Sequence, residues 1–414
     1  MTATIDVRGT EIPDLTNPQS YVAGVPHEAF DAIRAQPGLP WHPSEFGTYN
    51  GGFWIVTRYS DVIEIERDPT VFSSVPGAFF PLGNQDRNGP MSKHILFMDP
   101  PVHTRVRKVA TRAFGPRVVA QFETWIREIV VEVLDAALPL GEFDWVEHVA
   151  RLIPARVVAV VMGVPPEDRA DIVRWSDDIF KGQANSEDGA LMAAAFQAVG
   201  AYMDRLGRRK LAEPADDVVS LLAQSLARGD LDEGEYLMYT TALLIAGYET
   251  THTLIGQSTR LLAEDEAVRV ATREAIARGR QREVVDELLR VITPAMNVTR
   301  TATRDVEFQG QQIRANDVML LLLNAANRDP AAFPEPHRFD PLRTGVQSLG
   351  YGRDGLAFGS GIHRCVGAQL AKLELRILLE ELHRRGTRLE LAGEPQRGWS
   401  ALVNQLTSLP VRIG

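Results

Sequence analysis

The chain has one cysteine in 414 residues, so it can form no internal disulfide, and every thiolate function must fall on Cys365. It has no Cys-x-x-Cys pair, and its nine scattered histidines include no His-x-x-x-His, so no zinc site is framed. Long apolar runs are missing too. None reaches the ~20 residues a bilayer crossing needs, and Met1 to Asn17 offers neither a basic stretch nor an apolar core. The expectation is a cytoplasmic protein with no membrane anchor. Positive charge is also in deficit: 44 Lys and Arg against 54 Asp and Glu leave a formal net charge of -10. Phosphate recognition needs clustered positive charge, so a nucleic-acid partner is not expected. Repeats, low-complexity tracts and linkers are absent, and residues 1–414 read as a single domain.

What is present is mostly helical. A short helix near His27–Ala35 and strand-like segments, notably Gly52–Thr57, precede a helix start at Tyr59-Ser60-Asp61. Residues 72–99 are rich in Gly, Pro, Ser and Asn and read as a long irregular loop, a kind often functional. Helical periodicity then covers about 101–114, 117–138, 147–162, 166–180, 187–210 and 216–228. Asp232 to Glu264 is compatible with one helix about 50 Å long at 1.5 Å per residue, apolar on most faces at its midpoint. That midpoint is broken by Ala246-Gly247-Tyr248-Glu249-Thr250-Thr251. Helices at about 265–279 and 281–291 follow, and then short strands at 306–308, 311–313 and 318–323 suggest a second small sheet. A helix from about Val366 to Arg385 precedes strands in the tail. The fold class expected is mainly α with a smaller β-rich part (α+β), the latter near 40–57, 306–323 and 387–414.

The most specific segment is Phe358-Gly359-Ser360-Gly361-Ile362-His363-Arg364-Cys365-Val366-Gly367. It sets the single thiol in a glycine-rich loop at the start of a helix, where unpaired N–H groups and the helix dipole favour a thiolate. Glycines at 359, 361 and 367 let backbone approach a large flat ligand. A lone cysteine is ordinarily an inert core residue. The nucleophile elbow and dinucleotide loop both fail here, with Phe358 and Arg364 where each needs glycine. The segment resembles the haem-binding loop of the cytochrome P450 family, Phe-x-x-Gly-x-His/Arg-x-Cys-x-Gly, with five fixed positions matched.

The resemblance implies that Cys365 is the axial ligand to the iron of haem b (iron protoporphyrin IX). It further implies that Phe358 packs over the thiolate, that Gly359 and Gly367 border the cofactor and that His363 reaches a propionate. The thiolate pushes electron density to iron and favours O–O cleavage. The implied fold is that of the family, with haem between the long central helix and the helix after the cysteine loop. In the central helix the family sets an acid beside an alcohol over the oxygen-binding face, matched here by Glu249-Thr250 after Ala246-Gly247. Thr250 can reach back to the carbonyl of Ala246 and open the helix locally. His103 and Arg107, four apart on one helix face, suit a carboxylate clamp and are similar to the family's propionate pair. Arg300 resembles its third propionate ligand. Glu287-x-x-Arg290, with the arginine of Pro336-His337-Arg338-Phe339, resembles a buried structural network. Arg105, Lys108 and Arg112 form a basic stripe, either a solvated helix side or a docking face for an acidic electron donor.

The function implied is insertion of one oxygen atom from O₂ into an apolar small organic substrate, such as a terpenoid, steroid, fatty or aromatic compound. Electrons would come from NAD(P)H through a ferredoxin and its reductase, to a monomeric enzyme. By family position the substrate pocket draws on Phe79, Phe80, Leu243, Ala246, Ala295, Met296, Val298, Leu402 and Val403, with Asn297 as the one polar candidate to orient the substrate. Oxidative coupling or tailoring in natural-product biosynthesis, and a haem sensor without turnover, are the alternatives.

Overall fold

A computed structural model describes residues 5–7, 10–44, 48–79, 89–112, 114–184, 189–347 and 352–414. Its organising element is a helix of 32 residues, Glu233–Glu264, hereafter the central helix. Its start is fixed by a capping box: Asp232 accepts from the Glu235 N–H at 2.8 Å, and Glu235 accepts from the Asp232 N–H at 2.9 Å. Arg105 adds a bidentate ion pair to the same Glu235. The central helix crosses the apolar helix Leu152–Val161 at Gly247. A Cβ there would stand 3.0 Å from Val158 Cγ2, so a larger residue would force the two helices apart.

The helix after the cysteine loop spans Ala368–Arg384 and buries Leu370, Leu373, Ile377 and Leu378, each contributing roughly 1.5–3 kcal/mol of burial. It packs on helices Glu123–Ala137 and Gln281–Ile292 and touches the central helix. The helix Gln281–Ile292 buries Val284, Val285, Leu288 and Leu289, and with them the charged pair Glu287 and Arg290.

The β part differs from the expectation in its connections. The strand Val318–Leu322 does not form a second sheet with the hairpin Val306–Phe308/Gln311–Ile313; it pairs in parallel with Gly52–Val56. One five-stranded sheet results, in the order Trp41–Pro43, Gly52–Val56, Val318–Leu322, Asn297–Ala302, Phe72–Ser73. The strand Asn297–Ala302, not expected from the sequence, carries Arg300. Phe30, Phe53, Met296 and Leu320 pack on one side of this sheet, while Tyr59, Ile63, Met319 and Phe333 belong to another cluster. The tail strands Leu389–Leu391 and Pro410–Ile413 form a second sheet with Glu142–Asp144. The segment expected as one helix over 117–138 is two, Pro116–Gln121 and Glu123–Ala137, with Phe122 buried at the junction.

Candidate active site

Cys365 sits just ahead of the helix Ala368–Arg384, and its loop is closed by its own N–H donating to the Phe358 carbonyl at 3.0 Å. Phe358 packs on the cluster of Leu288, Leu289 and Leu375, with the Lys372 ammonium 5.7 Å over its ring. Gly359 and Gly361 both take positive φ, and a Cβ on Gly367 would lie 3.9 Å from the Cys365 sulfur. Cys365 lies deep in the protein yet is accessible to water. Only an interior opening reconciles the two. Burial pushes its thiol up, against the pull of the Gly367 and Ala368 amides and of Arg107 and Arg364. Helix-start donors alone therefore do not make the anion, and a bound cation would.

The central helix shows the same opening. Ala246 is exposed although Leu244 and Tyr248 beside it are buried. Thr250 Oγ1 donates to the Ala246 carbonyl at 3.0 Å, the back-bond expected from the sequence. Burial raises the carboxyl of Glu249 to about 7. On the far side of the helix Tyr248 donates to Asp177 at 2.6 Å, and Asp177 pairs with Arg151 at 3.4 Å.

Four sequence-predicted groups converge. The rings of His103 and His363 are 4.4 Å apart, and each has an Nε2 that is buried and without a hydrogen-bond partner. Burial pushes His103 down to about 4, helped by Arg107 and Arg300, and pushes His363 far down, helped by Arg300, His103 and Arg107. Arg107 donates to the Arg364 carbonyl, tying the clamp helix Val102–Thr111 to the cysteine loop. Arg300 is fully buried, with one nitrogen on the Thr299 carbonyl and another on Glu66 at 3.1 Å. Four cationic or protonatable groups thus face one another with, among the described residues, a single carboxylate, Glu66, among their hydrogen-bond partners. Such a cluster fits a ligand bringing carboxylates, and with the accessible thiol it fits haem. Among the described residues no group of three or more His, Cys, Asp or Glu could hold a metal ion.

Of the expected pocket residues, Phe79, Leu243, Ala295, Val298 and Leu402 are half-buried. Phe79 stands edge-on to Phe97 at 6.5 Å. Phe80 lies outside the described residues. Met296 packs with Phe53 and Leu320, Val403 is buried where it bridges Ala295, and Asn297 donates to the Ala401 carbonyl at 2.6 Å while its Oδ1 is buried without a partner.

One reading changes. The third arginine of the Glu287–Arg290 network is Arg343, which is 5% exposed and 3.1 Å from Glu287, whereas Arg338 is 63% exposed and pairs with Glu335. Arg338 contributes only its backbone carbonyl, accepting from Arg290 and Arg343. Within the basic stripe Arg105 is ion-paired to Glu235 while still 47% exposed, and Lys108 and Arg112 are exposed beside it. Sequence reasoning missed Tyr239, whose buried hydroxyl has no partner and lies within electrostatic reach of Arg107. A phenol in the buried stretch of a long helix was the available signal. It also missed Glu66 and Ser360, which no local pattern marks.

The comparisons agree with this geometry. A family model described as Cytochrome P450 matches residues 53–385. Linalool 8-monooxygenase of Pseudomonas putida is 32% identical, over 97% of this chain and 98% of that protein. Steroid C26-monooxygenase of Mycobacterium bovis is 30% identical, over 95% and 94%. The crystal structure of CYP108D1 from Novosphingobium aromaticivorans superposes with a TM-score of 0.83 at 30% identity, covering 97% of each chain.

Proposed function

The chain belongs to the cytochrome P450 family and is an oxidoreductase of its monooxygenase class, and from that premise we propose that it inserts one oxygen atom from O₂ into an apolar terpenoid- or steroid-like substrate. The family implies a haem, which we take to be haem b. The observation that carries this reading is the pairing of a water-accessible interior thiol with buried imidazole nitrogens that lack hydrogen-bond partners beside Arg107 and Arg300. Cys365 would ligate the iron through its sulfur, His103, Arg107, Arg300 and His363 would hold the propionates, and Phe358, Gly359, Gly367 and Ala246 would border the ring. Bound there, the haem supplies the oxygen-activating chemistry, which a thiolate ligand favours.

The residues of the chain supply position and protons. With its carboxyl raised to about 7, Glu249 still carries a proton near neutral pH and can pass it toward the Thr250 side of the helix. The Thr250 back-bond to Ala246 leaves the helix amide that would otherwise use that carbonyl with a competitor, a local loosening suited to small polar guests. Phe79, Leu243, Ala295, Val298 and Leu402 present apolar surface to the substrate. The substrates named for the two relatives, linalool and a steroid, are both apolar, which supports this class.

No helix among the described residues is long and apolar enough to cross a membrane. We assign electron delivery to a ferredoxin and its NAD(P)H-dependent reductase, with the exposed Lys108 and Arg112 as docking contacts. The test is turnover under isotopically labelled O₂ with such a reductase chain and a panel of terpenoids and steroids. One labelled oxygen atom per product is expected. Reductant use without any oxygenated product across the panel would instead favour a different oxidative outcome, and no reductant use at all a sensor.

A further inference from the structure

Among the described residues Glu66 is the one carboxylate hydrogen-bonded to the cation cluster, and it lies on neither the clamp helix nor the cysteine loop. It ends the helix Tyr59–Arg67 and is 4% exposed. One oxygen accepts from the Ser360 N–H at 2.8 Å and the Ser360 hydroxyl at 2.7 Å; the other accepts from Arg300 at 3.1 Å. A donor on each oxygen, one of them a guanidinium, is the pattern of an ionised carboxylate. Burial pushes its carboxyl up, opposed by Arg300 and by both Ser360 donors.

The backbone makes the same junction. Gly361 has φ +61°, and a Cβ there would fall 2.1 Å from the Glu66 carbonyl oxygen, so the loop lies directly on the helix end and only glycine fits. Ser360 thus hangs from Glu66 five residues before the thiol, while Arg300 reaches Glu66 from the sheet.

We infer that Glu66 is a positioning residue for the haem: one buried negative charge that fixes the cysteine loop through Ser360, holds Arg300 in place for a propionate, and lowers the reduction potential of the iron. The sign follows from electrostatics. Reduction adds an electron, a nearby buried anion disfavours it, and removing that anion while leaving Arg300 charged favours it. The inference rests on the haem reading given above.

The test compares the haem-loaded wild type with Glu66→Gln, Glu66→Asp and Ser360→Ala, using equilibrium redox titration and the carbon monoxide difference spectrum. Glu66→Gln keeps a similar shape and loses the charge. Its ferrous-to-ferric ratio at fixed poise should rise about tenfold, a positive shift of about 59 mV for one electron. Glu66→Asp should restore the wild-type ratio to within about threefold. A merely structural role would change thermal stability and leave the ratio alone. If Glu66→Gln takes up no haem, Ser360→Ala decides: it keeps the charge and removes a donor that offsets it, so the potential should move the opposite way. An unmoved potential in whichever of these two variants is loaded overturns the inference. A wild type lacking the thiolate spectrum would overturn the haem reading itself, so the two failures are distinguishable.

Discussion

Two buried charge clusters flank the cysteine loop, and they are satisfied to different degrees. In the network behind the loop, Arg290 engages all three guanidinium nitrogens: two go to Glu287 at 2.8 Å, and its contacts include the Asn327 and Pro336 carbonyls at 2.8 Å. Glu287 also accepts from Arg343 and from the Asp340 N–H. Arg290 and Glu287 are thus met by their own chain, and Arg343 Nε is the one guanidinium nitrogen of the network buried without a partner among the described residues. The cluster in front, His103, Arg107, Arg300 and His363, leaves two buried imidazole nitrogens without hydrogen-bond partners and, among the described residues, shares one carboxylate. A chain that buries polar groups without partners loses folding free energy. On the proposed reading the first cluster holds the protein together and the second holds the cofactor.

The comparison breaks most visibly in stability. Glu287→Ala leaves Arg290 and Arg343 buried without their anion, so unfolding free energy should fall by about 3–5 kcal/mol in denaturant melts, with or without haem. A loss under ~1 kcal/mol would show that the network is not satisfied in the way described.

The next largest effect is on rate. Glu249→Gln should lower turnover at saturating substrate by about 10²-fold. The pH profile gives the sign. The Glu249 carboxyl is raised to about 7, so it holds its proton below that pH, and wild-type turnover should fall as pH rises through it. The variant should be flat across the same range; a variant with the wild-type inflection would remove Glu249 from proton delivery. In the same series, Thr250→Ala should raise reductant use per product, and an unchanged ratio would remove Thr250 from the relay.

The second cluster answers differently from the first. His103→Ala removes an imidazole kept neutral by burial, so the haem-free protein should keep its stability to within about 1 kcal/mol. Haem transfer to an acceptor protein should meanwhile become about tenfold faster. A destabilised haem-free protein with unchanged haem transfer would place His103 in the structural class. The smallest effect sharpens the arginine assignment: Arg338→Ala should lie within about 0.5 kcal/mol of wild type, since its side chain is exposed. Arg343→Ala should cost several times more.

Much of this was legible in the chain because the signals are local. The loop from Phe358 to Gly367, the Glu249-Thr250 step and the His103/Arg107 spacing each lie within one turn or loop, where residue type and period decide geometry. What was not legible depends on contacts distant in sequence. Pro336-His337-Arg338-Phe339 points to Arg338, but a turn at Glu335–Arg338 sends that side chain outward and brings Arg343 to Glu287, 56 residues away. The parallel pairing of Val318–Leu322 with Gly52–Val56 leaves no local mark, and neither does the meeting of Glu66 with Ser360, 294 residues apart.

The central claim is that Cys365 lies in the second cluster's cavity as a thiolate ligand. The carbon monoxide difference spectrum of the reduced, haem-loaded protein tests it most directly, since thiolate-ligated haem absorbs unusually far to the red. The account predicts that band in the wild type and its loss in Cys365→Ser, because no other residue can supply a thiolate. A wild-type band at the position of a haem with a neutral nitrogen ligand, unchanged in Cys365→Ser, would contradict it.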